Sequence, residues 1–378
     1  MFARVLAVRA ESLYLEGRSA EAASLFDALD VGTLPERWRP TLLGLLARVR
    51  YQLGDMAGAA QAFQDAGEMR GAAAAWAAAR RPEETVAAYL ALIRAQPTDL
   101  SLLSEARQAV RFAGGGAQLE QALRDLEVPE TSVRAVLRVR AELRTDAGDL
   151  DGALALWRQS LEGDERSAEP LVRIGVLLLR KPVTTVDETR TAAVEAVLEA
   201  LKREPEHDGA IQLGWHLASL DYQILWKTAA SGPALTRSLA VQRALVAADA
   251  QDATALGNLG NTLRVGGLHP EALEAYARAV KANPYDPGLR SDQGLAFAGA
   301  GQPQEALEAY LASIEVDGSH LAGRQNAARS LWQLARDDEA EQNLAAGLKT
   351  ARNLGRDPGT WRFLLDRVWR CRQDAGLR

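Results

Sequence analysis

The hexapeptide EALEAY at residues 271–276 returns unchanged at 305–310, 34 residues later. The interval runs beyond the duplicated letters. Ala272, Ala306 and Ala340 stand 34 apart, each preceded by glutamate (Glu271, Glu305, Glu339). Upstream of them Gly260, Gly294 and Ala328 keep a small position, and downstream Tyr276, Tyr310 and Leu344 keep a large one. Within a unit, Leu256, Leu259 and Leu263 recur at helical spacing, and Leu273, Tyr276 and Val280 do so again after the break at Gly266-Gly267. Each unit is therefore predicted to be a pair of amphipathic helices. Asn283-Pro284 closes one pair, and Asp286-Pro287 opens the next with an N-cap and a proline in the first helical turn.

The fixed small residues have a packing reason. Where two helices cross closely, a side chain larger than a methyl holds the backbones apart, so glycine or alanine marks the crossing and the tyrosine fills the adjoining gap. A lone hairpin cannot bury its apolar face. Stacking on a neighbour buries it. The pattern of Gly260, Ala272, Tyr276, Ala279 and Pro284 in a 34-residue helical hairpin resembles the tetratricopeptide repeat family. The match is densest over 253–350 and degenerate elsewhere: Thr85, Leu119 and Ala153 continue the interval, with Tyr89, Leu123 and Trp157 in the large position. Ala22 with Phe26 and Ala59 with Phe63 mark two further units.

Breaks in the interval predict irregular elements. A short helix is expected around 71–80, a protruding loop at 178–188 and a long helix through 208–229. WRFLLDRVWRCRQDAGLR (361–378) aligns Trp361, Leu364, Leu365 and Val368 on one stripe, as expected of a helix capping the last open face. The expected fold is all-α, a right-handed tetratricopeptide-like superhelix of about nine or ten hairpins with a C-terminal capping helix. Its expected organisation is degenerate repeats over 1–128, an irregular middle over 129–252, well-formed repeats over 253–350 and the cap over 351–378.

Composition excludes several classes. Hydrophobic residues at 47% and charged residues at 25% suit a folded domain rather than a disordered chain. A formal net charge of −6 opposes a dominant role on nucleic acid. All but five of the 44 basic residues are arginine, a bias that points to a GC-rich bacterial genome. Cys371 is the single cysteine, so neither an intrachain disulfide nor a thiolate zinc cluster is expected. No long apolar window is present, and a cytoplasmic location without membrane attachment is expected.

Catalytic and metal motifs are missing. His207, His216, His269 and His320 lack ligand spacing, and no Gly-x-Ser-x-Gly or His-Glu-x-x-His occurs. FAGGGAQLEQAL (112–123) lacks the Gly-Lys-Ser/Thr of a phosphate loop, and its glycines suit a turn between helices. No catalytic residue, metal or cofactor is expected. The chain reads as a non-enzymatic scaffold.

Asn258, Asp292 and Asn326 lie 34 apart, each two positions before the small crossing residue, on the helix that faces the inner curve of such an array. An amide both donates and accepts, so it can pair with an extended peptide backbone irrespective of sequence. Asn261, Arg264, Gln325, Arg329 and Trp332 are the neighbouring candidates. In the resembled family, asparagines matching Asn258 and Asn326 commonly contact peptide backbone, which implies the same use here. Asp292 departs from that pattern, since a carboxylate cannot donate. Gly288 and Asp292 also occupy places where the family's carboxylate-clamp subtype needs basic residues. The expected function is a protein-interaction scaffold that holds a protein or peptide partner, segment or helix, in its concave groove. The alternative is a regulatory sensor or nucleic-acid-linked adaptor using arginine-rich helices at 131–144 (Arg134, Arg138, Arg140, Arg144) and 359–372. Self-association through an open end face is a third outcome.

Overall fold

The computed structural model describes residues 2–27, 35–181, 186–225 and 232–374. Among these residues every regular element is a helix. They group into two compact units, Met1–Glu165 and Arg166–Arg378.

Unit 1 contains α1 (Phe2–Leu15), α2 (Ser19–Asp27), a 3₁₀ turn (Glu36–Trp38), α3 (Arg39–Gln52), α4 (Met56–Asp65), α5 (Met69–Ala78), α6 (Pro82–Ala95), α7 (Ser101–Ala113), α8 (Gly116–Arg124), α9 (Glu130–Asp146) and α10 (Leu150–Ser160). Successive helices pair as hairpins, and the local chemistry of the turns explains where they break. In GDMAG (54–58) and GDLDG (148–152) the glycine takes a left-handed φ of 84° or 81°, and the following aspartate accepts the Gly58 or Gly152 amide at 2.9 Å. Such a cap satisfies an amide that the helix leaves orphaned. Helix α5 has ten residues, the short element expected near 71–80. There Gly71 lies under the Phe63 ring, where a β-carbon would come within 2.9 Å of Phe63 Cδ1. Thr85, Tyr89, Leu119, Leu123, Ala153 and Trp157, the residues continuing the interval, are all buried.

Unit 2 contains α11 (Glu169–Arg180), α12 (Val186–Arg203), α13 (Asp208–Leu225), α14 (Pro233–Ala248), α15 (Ala253–Val265), α16 (His269–Ala282), α17 (Pro287–Gly299), α18 (Pro303–Val316), α19 (Leu321–Gln333), α20 (Asp337–Asn353) and α21 (Gly359–Asp374). Asp252 caps α15 by accepting the Thr254 and Ala255 amides, and Asp286 caps α17 by accepting those of Gly288 and Leu289. Prolines 270, 287 and 303 stand in the first turns of α16, α17 and α18, where a missing amide hydrogen costs nothing. The long helix expected through 208–229 is α13 as far as Leu225; residues 226–231 lie outside the described residues, as do 182–185 of the loop expected at 178–188.

Two features hold unit 2 together. Tyr276 and Tyr310 are fully buried, each against the glycine of the first helix of its own hairpin. A buried ion pair joins α14 to α13: the Arg237 guanidinium donates from Nε to Asp221 Oδ2 at 3.0 Å and from Nη2 to Asp221 Oδ1 at 2.8 Å. Nη2 also donates to Asp187 Oδ1 of α12 at 3.0 Å. At the far end, Trp361 and Val368 of α21 are buried against Leu344 and Ala351 of α20, and Gly347 leaves no room for a β-carbon beneath the Trp361 ring. This covers the apolar face of the last hairpin.

Candidate functional site

The small–large pairing brings polar groups of three successive hairpins together. A β-carbon at Gly260 would lie 2.8 Å from Tyr276 Cε1, and one at Gly294 would lie 2.5 Å from Tyr310 Cε1. Each ring therefore lies against the backbone of the first helix of its hairpin, α15 or α17. Past the glycine, each hydroxyl meets the charges of the first helices. Burial pushes the Tyr310 phenol up to about 12, opposed by the Arg329 and Arg264 guanidiniums and assisted by Asp292. Burial also raises the Tyr276 phenol, with Asp292 acting in the same sense and Arg264 against it. Arg264 of α15, Asp292 of α17 and Arg329 of α19 are thus electrostatic neighbours.

Asp292 does not stand alone in the row. Asn261 Nδ2 donates to Asp292 Oδ2 at 3.3 Å, and Arg264 Nη2 donates to Asn261 Oδ1 at 3.4 Å. The chain's own amide supplies the donor that Asp292 would otherwise seek from a guest. Burial still holds the Asp292 carboxyl above its ordinary value, against the pull of the Asn261 amide and the Arg264 charge. The consequence for stability follows from proton linkage. The folded state binds this proton more tightly than the unfolded chain, so the contribution of Asp292 falls as pH rises from the ordinary carboxylate range through the raised value. Asp292→Asn is expected to melt at a higher temperature than the parent near neutral pH. The gap should close on acidification, and thermal melts across the acid-to-neutral range check both.

Asn258 and Asn326 are half-buried and make no hydrogen bond among the described residues. Asn258 and Asn261 line one cavity of about 170 Å³ with Trp215 and Tyr222 of α13 and Gln242 of α14. Gln325, Arg329 and Trp332 line another, of about 160 Å³, closed on its far side by Leu344 of α20 and by Leu364, Arg367 and Val368 of α21. The Arg367 guanidinium sits 5.4 Å from the centre of the Trp332 ring, so the chain's own last helix covers this tryptophan. Asn258, Asn261, Arg264 and Asp292 therefore form one group on α15 and α17, Gln325, Arg329 and Trp332 a second beneath α21, and Asn326 of α19 lines neither cavity. Sequence reasoning missed Trp215, Tyr222 and Gln242. They stand between Ala193 and Asn258, where the spacing exceeds the 34-residue interval by 11 and offers no position matching theirs.

The arginine-rich helix is engaged internally. Arg134 donates to the Gly163 carbonyl at 2.8 Å and Arg138 to Asp164 at 2.7 Å. Arg140 and Arg144 both reach Glu120 Oε1 at 3.1 Å, and Arg144 also pairs with Asp149 at 3.0 Å. Glu142 of the same helix pairs with Arg107 at 2.8 Å. A phosphate would have to displace carboxylates already in place, so the anionic-ligand alternative is not favoured. The 359–372 helix is α21, of which Arg367 lies over Trp332. In the glycine-rich stretch, Gly114 and Gly115 take φ of 88° and 94° in the turn between α7 and α8. The shallow cleft beside it is lined by Arg111 with Asp146, whose side chains stand 3.6 Å apart. Among the described residues no cluster of histidine, cysteine or carboxylate side chains is placed to hold a metal, and no helix is long and apolar enough to cross a membrane.

Comparison with known proteins agrees with this architecture. The tetratricopeptide repeat model matches residues 235–287. The TPR repeat-containing thioredoxin TTL4 of Arabidopsis thaliana is 30% identical over 98 residues, which are 26% of this chain and 14% of that protein. This chain thus spans about one seventh of the curated relative it matches. Among solved structures, YrrB, described as a TPR protein with an unusual peptide-binding site, is 19% identical with a TM-score of 0.35, over 54% of this chain and 94% of that one. A MamA protein is 18% identical with a TM-score of 0.34, over 50% of this chain and 94% of that one. The repeated hairpins and the matched model together identify tetratricopeptide repeats in this chain, with the match itself over residues 235–287. That class is in general a scaffold for protein–protein interaction, and its scaffolds are generally non-enzymatic.

Proposed function

We propose that unit 2 is a peptide-binding scaffold whose guest runs as an extended segment across α13, α15, α17 and α19. The observation that carries this reading is the state of the three ladder residues. Asn258 and Asn326 keep their amides unpaired, while Asp292 is held by Asn261. A half-buried amide with no internal partner is a donor–acceptor pair available to a backbone. The guest meets two free amides separated by a carboxylate, and its affinity is on the order of micromolar because ordering an extended segment offsets part of the contact energy.

The test begins with a peptide selected on the full-length protein from a displayed library. Asn258→Ala/Asn326→Ala is expected to weaken that peptide about tenfold, two hydrogen bonds at about 0.5–1.5 kcal/mol each. Titration calorimetry reads the change, with circular dichroism to establish that the helices persist. Unchanged affinity in a folded double variant would defeat the assignment.

A further inference from the structure

Within unit 2, the cavity shared by α13, α14 and α15 carries more polar capacity than its own packing uses. Gln242 is only 4% exposed and Thr262 is wholly buried, and both line the cavity. Gln242 Oε1 and Thr262 Oγ1 have no hydrogen-bond partner. A buried oxygen left unpaired carries a desolvation penalty, which a donor arriving from outside recovers. The walls are Trp215 and Tyr222, half-buried aromatic rings, and the unpaired amide of Asn258 stands at the mouth.

Charge decides what kind of donor suits the cavity. Trp215 also borders a wider, open cleft of about 610 Å³ whose rim carries Glu206, Asp208, Asp249 and Asp252. Asp252 caps α15, and Asp249 accepts the Gln251 amide. Glu206 and Asp208 have no such employment, and none of the four is paired with a lysine or arginine among the described residues. Four carboxylates beside an aromatic wall raise the local concentration of cations and repel acidic guests. The Arg264 guanidinium of α15 donates to Asn261.

We infer that this cavity receives an arginine side chain of the guest, so that the partner is a basic peptide segment. The inference rests on the peptide-groove reading above and adds the identity of one guest residue. A guanidinium is flat enough to stack on Trp215 or Tyr222, and its five N–H donors can serve Gln242 Oε1, Thr262 Oγ1 and the Asn258 amide oxygen together. The flanking residues of the guest then lie over the carboxylate rim. An ammonium offers a point charge without the planar face. The chain's overall charge of −6 favours the same partner class.

Fluorescein-labelled GSGSRGSRGSGS is titrated into the full-length protein by anisotropy, alongside the same peptide with citrulline or with glutamate at both arginine positions. The arginine peptide is expected to bind, the citrulline peptide about tenfold more weakly, and the glutamate peptide not measurably, since the ionised donor forms the stronger bonds. Trp215→Ala should abolish the arginine preference. Because that variant removes packing, Glu206→Gln/Asp208→Asn serves as the second: both residues are exposed, so the fold is retained, and the arginine peptide should weaken several-fold while the citrulline peptide does not change. Equal binding of arginine and citrulline peptides, each still sensitive to Asn258→Ala, would overturn the arginine pocket and leave the groove reading standing. Failure of all three peptides to bind would overturn the pocket, whereas loss of the groove itself is read separately, from the library-selected peptide.

Discussion

Replacing Arg237 by alanine is expected to lower the unfolding free energy of unit 2 by about 3–5 kcal/mol, the cost of leaving a buried charge without its partner. Asp221 is 1% exposed and Arg237 5% exposed, and two parallel hydrogen bonds join them. Asp187, the third member, is exposed and meets only one edge of the guanidinium. Arg190 Nη1 stands 3.6 Å from Asp221 Oδ1, beyond hydrogen-bond reach, so it screens part of the charge left behind but restores neither lost hydrogen bond. The double replacement Asp221→Leu/Arg237→Leu should recover most of the loss, since apolar side chains of similar volume often match or exceed a buried ion pair. Urea unfolding followed by ellipticity checks both. A single-variant effect below about 1 kcal/mol would show that water reaches this pair.

Tyr276→Ala is expected to cost about 3–5 kcal/mol, the range for emptying the site of a large buried aromatic. The ring is fully buried against Gly260, and the gap left by alanine closes only if α15 and α16 of that hairpin move together. Tyr276→Phe separates the ring from its hydroxyl. That hydroxyl is buried near the Arg264 guanidinium without a well-formed hydrogen bond, so its removal should stay within about 1 kcal/mol of the parent. Because stacked hairpins unfold nearly independently of distant ones, the alanine variant should broaden or split the transition as well as shift it. A loss as large in the phenylalanine variant would place the stabilisation in the hydroxyl instead of the ring.

Much of the hairpin array was legible in the residues, and for an identifiable reason. The pairs that define it, Gly260 with Tyr276 and Gly294 with Tyr310, are short-range in sequence, and the caps at Asp252 and Asp286 act over two or three residues. The capping stripe of Trp361 and Val368 obeys the same local periodicity. The candidate site was legible in part. Asn258 lies on α15, but the wall opposite it, Trp215, Tyr222 and Gln242, comes from α13 and α14, where the spacing departs from 34 and no matching position could be named. Trp332 was expected in an open groove and lies beneath Arg367, because helical phase alone does not say which later helix folds back.

The amino-acid sequence alone determined that the chain is helical, paired at intervals of 34 and able to bury its seams only by stacking, since those properties depend on contacts between near neighbours. The tertiary structure decided which polar side chains meet. Arg237 reaches Asp187 across 50 residues, Arg140 reaches Glu120 across 20, and Asn261 reaches Asp292 across 31. Such meetings depend on the rotation of each helix about its axis, and a slip of one residue turns a side chain by about 100°. Spacing sets the stack; only packing sets that angle, and with it the free amides, the engaged arginines and the cavity beside Trp215.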